Sequence, residues 1–98
     1  MPTNYTPEWQ YTRVDLSTNS TTVNSKPALL KGVFVNVTLS AHACPIKDDT
    51  AEVYTIPASD PAGNKYDFEG TRFLTSLVVD PDDSATGSIT LMWRDLRA

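Results

Sequence analysis

The chain has one cysteine, one histidine and four glycines among its 98 residues. Cys44 alone cannot close a disulfide within the chain, so packing and strand pairing must hold the fold. The glycines are never clustered, which excludes a loop that cradles phosphate. Positive charge is scarce too: 8 Lys and Arg stand against 12 Asp and Glu, for a net charge of −4. A surface of that sign argues against nucleic acid as the partner, and the scattered basic residues make no footprint for an anionic membrane. No apolar run approaches the length that spans a bilayer. The first residues lack the basic start and apolar core of a secretory signal, so a soluble product made in the cytoplasm is expected. The sequons at Asn4, Asn19 and Asn36 are then coincidences of a Thr-rich chain. No window carries an apolar stripe of helical spacing.

What is present is alternation with a period of two. In the segment 29–39, Val33, Val35, Val37 and Leu39 recur at every second position while Asn36 and Thr38 face the other way. That is the period of a strand. Lys31-Gly32 interrupts it, as a bulge or a close backbone approach would. A first strand is expected over residues 9–16, with Trp9, Tyr11 and Arg13 on one side and Val14 and Leu16 on the other. A short strand begins at Val23 and stops at Pro27. Residues 43–47 read as an edge strand because of Pro45. Residues 52–57, 65–68 and 72–79 follow, the last apolar on both faces. Residues 88–94 close the chain with Ile89, Leu91 and Trp93 inward. Asp48-Asp49 is expected to turn, and Asp60-Pro61-Ala62-Gly63 and Asp80-Pro81-Asp82-Asp83 read as type I turns. The expected fold is all-β: an antiparallel, jelly-roll-like β-sandwich of seven to eight short strands. Residues 1–16 form an N-terminal arm that can include the first strand, and residues 17–98 form the sandwich.

No constellation supports catalysis. His42 and Cys44 lie two apart and would share one strand face, yet one His and one Cys fall short of a zinc site, and nothing orients the imidazole as a base. Asp80, Asp82 and Asp83 lack the glycine and distal Glu of a calcium loop, and turn chemistry accounts for them. The expectation is no enzyme, no metal and no cofactor. The residues that call for a partner are aromatic. Tyr5 and Trp9 stand on a proline-flanked arm, and with Tyr11 they are the candidate interface: they pack on this domain or dock on another molecule.

The stretch from Thr21 to Arg94 carries a polar strand ending near Val23, then Leu30-x-Gly32-x-x-Val35-Asn36, an acidic turn at Asp48-Asp49, a strand with Ile56, and Leu77-x-Val79 before Gly87-Ser88-Ile89-Thr90-Leu91. In this pattern it resembles small β-sandwich head decoration (cement) proteins and related virion accessory domains of tailed bacteriophages. Many members carry a glycine where this chain has Thr50 and Ser76. The resemblance implies a structural role on the capsid surface of a virion, bound to the major capsid protein and other virion proteins. A homo-oligomer at a symmetry axis, a trimer by preference, is the companion expectation. The alternatives are a neck, tail or fibre component, or a carbohydrate-binding module that recognises a host surface.

Overall fold

The computed structural model describes residues 9–18 and 20–96. Among them, alternating apolar residues build eight strands: β1 (Gln10–Asp15), β2 (Thr21–Asn24), β3 (Ala28–Val37), β4 (Cys44–Asp48), β5 (Ala51–Ile56), β6 (Lys65–Phe73), β7 (Leu77–Val79) and β8 (Ser88–Asp95). They pair antiparallel into two four-stranded sheets, sheet one in the order β1-β8-β3-β6 and sheet two in the order β2-β7-β4-β5. The pairing is nested: β1 lies beside β8, β2 beside β7, β3 beside β6 and β4 beside β5. The fold is an all-β sandwich.

The core lies between the sheets. Leu30, Val33, Phe73, Ile89 and Leu91 from sheet one meet Ile46, Ile56, Leu77 and Val79 from sheet two, and all are fully buried. Each such side chain contributes about 1.5–3 kcal/mol by leaving water. Trp93 completes the layer, with its indole N–H donated to the Thr12 hydroxyl at 2.9 Å so that no polar atom is stranded there.

Gly32 marks a bulge, as its sequence position suggested: the register of β3 shifts between Leu30 and Gly32 against both neighbours. Against β6 the irregularity is large. Leu30 faces Thr71 and Gly32 faces Asp67, so residues 68–70 bow out opposite Lys31. Glu69 and Gly70 both take positive φ there, at 54° and 78°.

Three expectations are corrected. Residues 43–47 do not form an edge, because β4 is an inner strand between β7 and β5. Pro45 is tolerated because it lies just beyond the β7 ladder, which begins at Ile46, and its carbonyl accepts the Asp80 N–H at 3.0 Å. Residues 72–79 are not one strand: Arg72 and Phe73 end β6, a turn at 74–76 follows, and β7 starts at Leu77. Both proline turns sit further along the chain than expected. The first closes from Pro61 to Asn64, with Gly63 at a φ of 96°. The second closes from Asp82 to Ala85, and the Asp82 carboxylate accepts the Ser84 N–H at 2.9 Å. In each case the aspartate and proline lead into the turn while the residues after them make it.

Candidate binding face

The outer face of sheet one carries an exposed aromatic, Tyr11, among charged side chains. Its rows follow from register. Tyr11 on β1 lies opposite Met92 on β8, Met92 opposite Gly32 on β3, and Gly32 opposite Asp67 on β6. The next row runs Arg13, Thr90, Phe34 and Lys65. Opposed residues share a face, so the inward Ile89, Leu91 and Trp93 leave Thr90, Met92 and Arg94 outside. Gly32 contributes no side chain to its row. The gap is a shallow trough of about 360 Å³ lined by Lys31, Phe34, Lys65, Asp67 and Met92. A methyl group on Gly32 would stand 3.1 Å from the Tyr66 carbonyl oxygen, so this close approach of backbone favours glycine.

The three candidate aromatics fare differently. Tyr5 lies outside the described residues. Trp9 is half-buried, and the Arg94 guanidinium sits over its ring, 5.6 Å from the centroid. A cation–π contact of that kind is worth about 0.5–1 kcal/mol and ties Trp9 to its own sheet. Tyr11 remains 63% exposed, at the rim of the same face. The structure thus brings Trp9 and Tyr11 to one face beside a trough that sequence reading did not locate. Phe34, Lys65 and Met92 were not singled out in the sequence, because what joins them is register between strands far apart in the chain.

The remaining sequence candidates are held in structural roles. His42 and Cys44 do not share a strand face: His42 lies in the loop before β4, and Cys44 opens β4 fully buried. Burial, and then the nearby charge of Asp80, pushes the Cys44 thiol up to about 12. It is a core residue. His42 Nδ1 lies 3.7 Å from an Asp82 carboxylate oxygen, while Asp80 pairs with Lys47 at 2.6 Å. Among the described residues no three His, Cys, Asp or Glu side chains come together in a way that could hold a metal ion. Asp48 and Asp49 do form the β4–β5 turn, with Asp49 at a φ of 58°.

Comparison with known proteins adds no relative: no family model, no curated protein and no solved structure matches the chain.

Proposed function

We propose that the protein is a structural virion protein, a capsid decoration protein that binds the major capsid protein lattice and carries out no chemistry. The observation that carries this reading is Tyr11, a large aromatic 63% exposed on the outer face of an edge strand. Exposed tyrosines of this kind supply contact area at low entropic cost, which suits an anchor at an interface. The nested strand pairing supports the jelly-roll form of the sandwich. A rigid body with an aromatic-bearing face needs only a complementary surface. Anything that binds the mature shell and not its precursor stabilises the mature form by mass action. Docking as a trimer at a symmetry axis of the lattice, on the outside of the virion, follows from the same reading.

The test is cosedimentation of the purified protein with expanded shells that lack it. Saturable binding is expected, with weaker attachment after removal of residues 1–12 or after Tyr11→Ala. No binding to shells would overturn the proposal.

A second reading is favoured by the trough on the same face. Phe34, Met92 and the nearby Tyr11 offer apolar surface, while Lys31, Lys65 and Asp67 offer donors and acceptors, as a shallow sugar subsite requires. Under that reading the chain is a carbohydrate-binding module, and the isolated protein binds a glycan array but not shells.

A further inference from the structure

Basic residues that lie scattered in sequence are gathered by register. Arg13 on β1 stands in one outer row with Phe34 and Lys65, and Lys31 borders the trough beside Gly32. A further row runs Arg94 on β8, Leu29 on β3 and Arg72 on β6. Leu29 and Arg72 point outward because their neighbours Ala28, Leu30 and Phe73 are fully buried. The outer face of sheet one therefore carries five of the chain's eight Lys and Arg. Among the described residues its rows hold two acids, Asp15 and Asp67, with Glu69 in the bow at the β6 edge. A chain of net charge −4 thus presents one positive face.

The cations of this face are open to a partner. Arg13, Lys31, Lys65 and Arg72 take part in none of the ion pairs of the described residues, which engage Lys47 with Asp80 and His42 with Asp82. Arg13 donates to the neutral Ser88 hydroxyl at 3.2 Å and so keeps an uncompensated charge. Between the cations stand Tyr11, Leu29, Phe34 and Met92, and the trough opens where Gly32 lacks a side chain. Arginine, methionine and aromatic residues are the ones enriched where proteins meet.

We propose that this face docks on an acidic surface segment of a partner protein, with one apolar side chain of that segment seated in the trough that Lys31 and Lys65 line. Carboxylates of the partner meet the two lysines, Arg13 and Arg72. The proposal rests on sheet one being the docking face of the decoration reading, and it names the chemistry of the surface that this face meets. A second copy is a poor occupant, because its Asp48, Asp80 and Asp82 are already held by donors of their own chain. Nucleic acid is disfavoured, since the acidic remainder of the chain repels phosphate.

The experiment titrates the isotopically labelled full chain and runs cosedimentation with expanded shells beside it. The probes are a capped peptide of leucine alternating with glutamate, one of leucine alternating with lysine, and a single-stranded oligonucleotide of the same charge as the first. The glutamate peptide shifts the amides of 31–34 and 65–67 and the methyl group of Met92. The lysine peptide binds about tenfold more weakly, because like charge on the face repels it. Added salt weakens the glutamate peptide and loosens attachment to shells. Lys65→Glu combined with Arg72→Glu, both at exposed positions, reverses the order of the two peptides and weakens shell attachment with little change in melting. Lys65→Arg keeps both. Phe34→Ala weakens both peptides, since the leucine loses a wall of its seat. The proposal is overturned by no response to the glutamate peptide, by equal affinity for both charges, by shifts centred on sheet two, or by tighter binding of the oligonucleotide. Self-association that excludes the peptide would overturn it as well. Shells that bind the charge-reversed protein as well as the wild type, at low and high salt alike, fail this proposal and leave the decoration reading standing. Shells that stay bare while the glutamate peptide binds fail the decoration reading alone.

Discussion

Asp48 on β4 accepts the backbone N–H of Leu74 at 2.9 Å, across 26 positions of sequence. The same carboxylate takes the N–H groups of Thr75 at 2.9 Å and Ser76 at 3.2 Å. Leu74 itself is 66% exposed, so the turn between β6 and β7 is held by this carboxylate and not by burial of its leucine. The aspartate read from sequence as a turn former therefore organises two turns: the one that follows it and a distant one.

Asp48→Ala is expected to lower stability by about 1–2 kcal/mol, the net loss of charge-assisted bonds on a partly solvated turn. Asn in its place keeps an acceptor and costs less. Partial burial pushes the Asp48 carboxyl up, but the three backbone donors outweigh it and hold the group below its ordinary value of 3.8. A lowered value means that the stabilisation is present above pH 3.8 and is lost as pH falls through the folded-state value. Urea melts across that acid range should show a steeper loss in the wild type than in Asp48→Asn.

Gly87 should tolerate substitution worst of the glycines. Its φ is 111°, and a Cβ would stand 3.0 Å from the Thr38 carbonyl oxygen and 3.1 Å from Leu39 Cα. Both clashes are with backbone, which cannot swing away. Gly87→Ala is expected to cost about 2–4 kcal/mol from strain and overpacking together. Gly63, at a φ of 96° but in open space, is the control. Gly63→Ala should cost only about 1 kcal/mol. Thermal melts of the two variants check the difference.

Tyr66→Phe removes one of the two side-chain donors to Asp60, which is 6% exposed and also accepts Asn64 Nδ2 at 2.7 Å. The expected loss is about 1–3 kcal/mol, because the carboxylate is left short of a partner. Partial burial, with the bond to Asp60 and its charge, pushes the Tyr66 hydroxyl from 10.0 up to about 12. A raised value means that its stabilising effect is full below pH 10.0 and fades as pH rises through about 12. Ultraviolet titration should show a late-ionising tyrosine in the wild type that Tyr66→Phe removes.

Cys44 should not react with thiol reagents in the folded protein at neutral pH. Fully buried and pushed up to about 12, it has neither the access nor the thiolate that alkylation needs. Its labelling rate then reports unfolding and should rise in step with urea. Rapid labelling without denaturant would contradict the core placement.

Alternation revealed the fold wherever one strand face is buried. Val33, Val35, Ile89, Leu91 and Trp93 all point as their spacing indicated, and Gly32 marks the bulge that its place in the strand suggested. Pro45 misled because an edge and the end of a ladder impose the same local demand, and only the pairing partner tells them apart. The turns slipped because Asp-Pro announces a turn without fixing which pair of residues makes it. Local pattern put Trp9 and Tyr11 on one side of the first strand but could not show the trough beside them. Tyr11, Met92, Gly32 and Asp67 are scattered along the chain, and register alone lines them up. The bowed residues 68–70 gave one sign only, Gly70.

The most direct measurement is an image reconstruction of expanded shells mixed with the purified protein. Added density is expected at symmetry-related positions on the shell surface, with the Tyr11 face of sheet one turned toward the lattice and reduced occupancy for Tyr11→Ala. Shells that stay bare at saturating protein would contradict the account.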